Sequence, residues 1–251
     1  MIDLSKQHIF IAGGSRGIGR AAAIMAAKAG AAVSVNYLSN AAAAHATVDT
    51  IVAAGGRAAA FQADVSQDGA AQKAIDAAVA TLGPLTGLVV SAGIFEGAAL
   101  DEMDLAFWNR TMEINLAGTF LTVKAAVPHL RERGGGSIVI YTSTAGQRGS
   151  DVFSAYATSK GAQILFMRSM AKELGADQIR VNCIAPAWTD TDMAAPSLDV
   201  LGREDEGKKF VLGRIGQPDD IAGPTVFLLS DLAKFVTGMT LTVDGGMDMR
   251  G

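Results

Sequence analysis

Short β-type runs alternate with helix-length stretches along this chain, and that alternation leaves few folds open to it. The runs fall at residues 8–12, 32–37, 58–63, 87–91, 137–142, 179–184 and 239–243. Several are continuously apolar rather than alternating, as strands buried on both faces of a parallel sheet require. Between them, residues 17–29, 41–54, 67–82, 104–131, 152–174 and 218–230 are each long enough for a crossover helix. Such crossovers run right-handed and place helices on both faces. The expected fold is α/β, a doubly wound parallel sheet of seven strands.

A length of 251 residues suits a single domain spanning 1–251. The one long gap in the alternation is 187–216, which holds Pro196 and a charged run at 203–209. A segment of that length directly after a strand end reads as a substrate flap with two short helices, a plain surface insertion being the alternative. Charged residues form 18% of the chain, against a usual share of about 25%. That shortfall points to surface covered by partner subunits, with Ala enrichment as the plainer alternative. A net charge of −4 offers no basic field for nucleic acid or an anionic membrane. No stretch has the apolar length needed to cross a bilayer, and residues 1–10 contain no secretory apolar core. Cys183 is the single cysteine, which excludes an internal disulfide, and no Cys/His cluster has metal-ligand spacing. The expectation is a reducing, cytoplasmic setting and no metal.

The first run leads into Ala12-Gly13-Gly14-Ser15-Arg16-Gly17-Ile18-Gly19 and then an Ala-rich helix. Glycines at 13, 17 and 19 permit a tight turn, close backbone approach to a pyrophosphate, and tight packing of helix on strand. The N–H groups of Gly17 and Ile18 then face the phosphates of a dinucleotide. The second run ends Val35-Asn36-Tyr37-Leu38-Ser39-Asn40, with no carboxylate for the ribose hydroxyls. An acid would repel a 2′-phosphate, whereas Arg16 supplies a charge to pair with one. Tyr37 can flank the adenine, and Ser39 and Asn40 can donate hydrogen bonds. NADP(H) is the expected cofactor, NAD(H) the alternative.

Together these residues resemble the short-chain dehydrogenase/reductase family over nearly the whole chain. Gly13, Gly17 and Gly19 match its first-turn glycines. Asp64-Val65 is similar to the pair that meets the adenine, and Ser91-Ala92-Gly93 to the Asn-Ala-Gly turn against the cofactor. Asn115, Ser143, Tyr156 and Lys160 match its catalytic tetrad. Pro186 and Thr191, with Thr189 between them, match the segment that receives the nicotinamide carboxamide. Val243-Asp244-Gly245-Gly246 resembles its last strand and turn. Three positions depart from the pattern: Ala12 where Thr is common, Ser91 for Asn, and Ala187 where Gly is usual. The resemblance, nearest to the 3-oxoacyl-carrier-protein-reductase-like branch, implies a Rossmann-type sheet in the order 3-2-1-4-5-6-7. It also implies hydride transfer between nicotinamide and a ketone or secondary alcohol. A homotetramer follows from it too, with 104–131 and 152–174 at one interface and 218–230 with the final strand at the other.

Residues i and i+4 share a helix face, so Tyr156 and Lys160 can enter one cleft. The nearby ammonium, joined by the positive charge of the oxidised nicotinamide, is expected to lower the phenol pKa from about 10, fitting Tyr156 to accept or donate a proton. Lys160 is also expected to bond the nicotinamide ribose, and Ser143 to hold the carbonyl oxygen. Asn115, as the resemblance implies, binds a water linking Lys160 to solvent. Phe95, Gln147, Phe153 and Trp188 lie beside motif residues and, with Met193 of the flap, form the expected substrate wall. That wall suits an apolar or ring-shaped small molecule. One alternative is a 3-oxoacyl-[acyl-carrier-protein] reductase, docking its acidic carrier on Arg131, Arg133 and Arg148. Another, from a different class, is a catalytically silent dinucleotide sensor. His8, His45 and His129 pair with no motif and read as structural.

Overall fold

The computed structural model describes residues 2–249. Its strands are β1 (His8–Ala12), β2 (Ala32–Tyr37), β3 (Arg57–Gln62), β4 (Gly87–Val90), β5 (Gly136–Tyr141), β6 (Ile179–Pro186) and β7 (Thr240–Val243). They form one sheet in the order β3-β2-β1-β4-β5-β6-β7, the expected order, with every neighbouring pair parallel. β1 is buried along its whole length. Its side chains alternate between two cores, Ile9 and Ile11 to one face, Phe10 and Ala12 to the other. The edge strands β3 and β7 are only partly covered.

On the first face lie α1 (Gly17–Lys28), α2 (Ala41–Ala53) and α10 (Pro218–Leu229); on the second, α3 (Ala70–Leu82), α5 (Gly118–Arg133) and α7 (Ser154–Leu174). Ala22, Ala23 and Ala26 on α1 carry no bulk, which lets α1 lie close to both the sheet and α10. The remaining helices are α4 (Leu105–Met112), α6 (Thr144–Arg148), α8 (Ala195–Leu201) and α9 (Arg203–Gly207). Among the described residues, no helix is long and apolar enough to cross a membrane.

Two local features differ from the sequence expectation. Residues 104–131 run as one helical stretch, as expected, but a π-helical turn at Glu113–Ala117 lies within it, between α4 and α5. The short α6 was also unexpected; it begins where the Ser143 side chain accepts from Ala145 N. Segment 187–216 carries the two short helices expected of it. Its neck is tied by a bridge between Thr189 and Gly216, with Gly216 N donating to Trp188 O and Asp190 N to Gly216 O, both at 2.9 Å.

His8 is 3% exposed in the central strand. Its Nδ1 lies 2.7 Å from Gly83 O and its Nε2 2.8 Å from Ser34 Oγ, so both ring nitrogens are satisfied in the neutral form. Burial lowers its pKa below 6.5, the Arg57 charge adds to this, and the bond to Gly83 O opposes it. A base whose folded pKa is depressed is protonated more readily unfolded than folded. Its stability contribution is therefore complete above about pH 6.5 and is lost as pH falls toward the lower folded value. The slope is up to about 1.4 kcal/mol per pH unit. Urea unfolding of His8→Gln at pH 7.5 and 5.5 should give a smaller acid loss than the parent chain. An unchanged difference would assign the acid sensitivity to other groups.

Candidate active site

Because all strands run parallel, the carboxyl ends of β1, β4, β5 and β6 open on one edge of the sheet, where ligands of such folds sit. The glycine turn leaves β1 there. A Cβ on Gly19 would lie 2.2 Å from Gly13 O and 2.9 Å from Ser91 Oγ, and Gly13 itself has φ +76°. Only glycine fits this contact between the turn, α1 and the β4 exit. Gly17 faces Thr191 across the crevice. Arg16 makes no side-chain cap on α1, which leaves the first N–H groups of the helix without a side-chain acceptor. Asn36 secures the turn from the neighbouring strand. Its Oδ1 accepts from Gly13 N at 3.3 Å, and its Nδ2 donates to Phe61 O and Ala63 O. Sequence reasoning passed over this residue, although an amide inside the apolar run Ala32–Tyr37 was the available signal.

Outside the turn, an open groove of about 750 Å³ is lined by Ser15, Arg16, Arg20 and Asn40 on one side and by Asp190, Asp192 and Asp219 on the other. Among the described residues neither Arg16 nor Arg20 forms an ion pair. Tyr37 is half-buried, its ring centroid 6.5 Å from that of His45, and Ser39 is exposed. Asn40 caps α2 by accepting from Ala43 N at 3.0 Å. Asp64 turns back on its own loop, accepting from Ser66 N and Oγ, while Val65 is buried.

Tyr156 and Lys160 sit one turn apart on α7, beside the end of β5. Lys160 is 7% exposed, and its Nζ donates to Tyr141 O at 2.8 Å and lies 5.7 Å from the Tyr156 ring centroid. Thr142 Oγ1 donates to Lys160 O at 2.7 Å, fastening the helix to the strand end. Burial brings the Lys160 pKa down to about 8, and the Cys183 thiol on β6 acts weakly against it. Burial likewise pushes Cys183 up to about 12. Among the protein's own groups burial dominates and raises the Tyr156 phenol to about 12, with the adjacent Ser143 hydroxyl opposing.

Asn115 stands in the π turn, fully buried. Its Oδ1 accepts from Ile94 N at 2.8 Å, and its Nδ2 donates to Ile94 O and Ser159 Oγ. A Cβ on Gly93 would fall 2.9 Å from Asn115 Oδ1 and 3.7 Å from Lys160 Nζ, so the β4 exit, the π turn and α7 meet at this point. Both lone pairs of Asn115 O are also taken, by Thr119 Oγ1 and by Gln163 Nε2, each at 2.7 Å. Gln163 was not anticipated. It is 1% exposed, three residues beyond Lys160, and its Oε1 has no protein partner.

Of the expected substrate residues, Phe95 meets the Tyr156 ring, and Phe153 and Trp188 each pack on Phe95. Gln147 turns instead to β7, where its Nε2 donates to Thr242 Oγ1 at 3.0 Å. Met193 is exposed on the flap. Pro186 ends β6, and Thr189 and Thr191 follow, held by Thr189 Oγ1 to Ala187 O and Thr191 Oγ1 to Thr189 O.

A family model described as Enoyl-(Acyl carrier protein) reductase matches residues 12–248. The 2-(S)-hydroxypropyl-CoM dehydrogenase 3 of Xanthobacter autotrophicus is 39% identical to this chain, with 97% of each covered. A 3-oxoacyl-[acyl-carrier-protein] reductase of Synechocystis sp. is 36% identical, covering 99% of this chain and 100% of that one. Among solved structures, a gluconate 5-dehydrogenase from Burkholderia cenocepacia in complex with NADP and tartrate superposes with a TM-score of 0.92. It is 32% identical over 98% of this chain and 96% of that one. Glycine turn, sheet order and these likenesses agree, and the chain belongs to the short-chain dehydrogenase/reductase family of NAD(P)-binding oxidoreductases that act on alcohols and ketones.

Proposed function

We propose that this chain is an NADP(H)-preferring enzyme interconverting a ketone and a secondary alcohol, with Tyr156 as its proton-transfer residue. The observation that carries this reading is the convergence of the Ser143 hydroxyl, the Tyr156 phenol and the Lys160 ammonium beside the glycine-lined crevice. A dinucleotide fits the residues present, because the all-glycine contact brings the start of α1, whose first N–H groups have no side-chain cap, to the open groove lined by Ser15, Arg16 and Gly17. Gly13, Ser15, Gly17, Ile18 and Gly19 would hold the pyrophosphate, and Tyr37, Asp64 and Val65 the adenine. Arg16 and Ser39 would take the 2′-phosphate. Ser91, Ala92, Gly93, Lys160, Pro186, Thr189 and Thr191 would hold the nicotinamide half. Bound there, the cofactor supplies or accepts the hydride.

The protein handles the proton. Ser143 Oγ accepts from Ala145 N at 3.1 Å and bonds the Tyr156 phenol; with substrate bound, its hydrogen would turn to the substrate oxygen. Tyr156 gives its proton to that oxygen in reduction and takes it back in oxidation. A phenol raised to about 12 is protonated at neutral pH, yet it remains a far stronger acid than an aliphatic alcohol. Protonation of a nascent alkoxide therefore runs downhill. The Lys160 ammonium steadies the phenolate left behind.

The same reading takes 1–251 as one cytoplasmic domain with a flap at 187–216, assembled as a homotetramer. Exposed Leu105, Phe120 and Leu165 on α4, α5 and α7, and Leu232 and Phe235 between α10 and β7, support the two subunit faces. The carrier-protein reading is less favoured. Arg131 is tied to Asp177 at 2.7 Å and Arg148 lies 3.9 Å from Asp248, so two of its three docking cations already face carboxylates.

Tyr156→Phe should lower kcat/KM by about 10²- to 10⁴-fold for any ketone turned over, the scale of general acid catalysis. NADPH affinity, read by fluorescence titration, should change only slightly. Tight NADPH binding with no turnover by the parent chain on a ketone panel would instead favour the sensor. Arg16→Ala should raise KM for NADPH about 10-fold, as loss of a charge-assisted phosphate contact does, while KM for NADH stays put. A parent chain that uses NADH as well as NADPH would remove the role given to Arg16.

A further inference from the structure

We infer that the substrate is an uncharged ketone, or its alcohol, whose reacting carbon carries an aryl or similarly flat apolar group. The inference rests on Tyr156 being the proton donor, since the wall that selects the substrate is built against that residue. The Phe95 and Tyr156 rings meet edge to face at 4.9 Å and 79°, as do Phe95 and Trp188 at 5.6 Å and 88°. Phe95 also stacks on Phe153 at 4.4 Å and 10°. All four rings are half-buried. A carbonyl oxygen within reach of Tyr156 and Ser143 has its substituent against these rings, where offset or edge-on aromatic contact is favourable.

The wall is held stiffly. A Cβ on Gly97 would lie 2.7 Å from the Phe153 ring, so that ring packs directly on backbone. Val152, just before it, has φ +53°, a region that strains a β-branched residue. It is fixed there by Ala98 N donating to Val152 O at 2.8 Å. Trp188 is anchored by the small flap core of Ala194, Leu198, Phe210 and Ile215. Strain and packing together set the ring positions before any substrate arrives.

Charge around the cleft argues against an anionic substrate. The flap carries Arg203, Lys208, Lys209 and Arg214, and each pairs with a nearby carboxylate. Arg110, near Phe95, pairs with Glu96. Six carboxylates against four cations leave 187–216 at −2. A phosphate- or sulfonate-bearing substrate would have to break one of these pairs or approach a negative rim. A polyol fares poorly as well, because its hydroxyls would meet ring carbon where they need partners.

The test compares kcat/KM for acetophenone, butanone, acetoacetyl-CoA and D-glucose with the matching cofactor, in the parent chain, Phe95→Ala and Trp188→Ala. Acetophenone should exceed the thioester and the sugar by about 10-fold or more, the scale of burying one ring face. Each variant should lose about 10-fold more on acetophenone than on butanone, mainly through KM. Preference for the thioester or the sugar overturns the inference while leaving the reaction class intact; so does an equal loss on both ketones, which would mark the rings as purely structural. Should no carbonyl turn over, the reading of Tyr156 fails separately. Calorimetry of Tyr156→Phe with acetophenone then decides: binding that Phe95→Ala abolishes upholds the aryl site, and no binding overturns it.

Discussion

An ammonium group with almost no access to water is costly to maintain, and Lys160 is such a group. Three arrangements make it tolerable. The last carbonyl of β5, Tyr141 O, accepts directly from Nζ. The next residue, Thr142, bonds the Lys160 carbonyl. The exit of β4 passes close enough for Gly93 to leave room beside the ammonium. Sheet register therefore decides where the charge lies. β4 and β5 pair in parallel, Val90 opposite Ile140, so their carboxyl ends finish together and deliver Gly93 and Ser143 to the same place. A one-residue slip would turn Tyr141 toward the other face and remove the acceptor.

Two opposing effects act on the phenol next to it, and their balance explains the division of labour. Burial alone drives Tyr156 up and Lys160 down, so each group resists carrying charge. Only a neighbour of the right sign can offset this. The lysine is near enough to interact, yet at 5.7 Å from the ring centroid it does not reverse the desolvation. A phenol that stays protonated until an oxyanion appears beside it is suited to protonating that oxyanion.

The sequence made the sheet legible because β1 and β5 are apolar at nearly every position and the glycine turn marks where β1 ends. The catalytic helix was legible because Tyr156 and Lys160 repeat at the helical period. What stayed hidden was polar and non-local. Asn36, Gln163 and His8 each bond groups between 23 and 78 residues away, and no local pattern predicts such partners. The π turn was hidden for a different reason: its extra residue serves the Asn115 contacts to Ile94 and Ser159 rather than the apolar stripe. Gln147 illustrates the limit of adjacency. It follows Ser143 by four residues, yet the tight α6 turn sends its amide to β7.

That last point separates two kinds of residue around one crevice. The proton-transfer groups are fixed by strand ends and by hydrogen bonds into the buried interior, so a change in a surface loop leaves them where they are. Phe95, Phe153 and Trp188 lie on connections leaving β4, preceding α7 and following β6, where the chain tolerates variation. Relatives named for very different substrates align with this chain almost end to end, as expected when the chemistry is built on the sheet and selection on its loops. Strain follows the same division. Among the described residues, Val152 and Gln178 are the only ones other than glycine at positive φ, and Val152 immediately precedes the ring stacked on Phe95. Backbone strain in a β-branched residue persists only where surrounding contacts over-determine it. Here it lies beside the Phe95–Phe153 stack and not beside Tyr156 and Lys160.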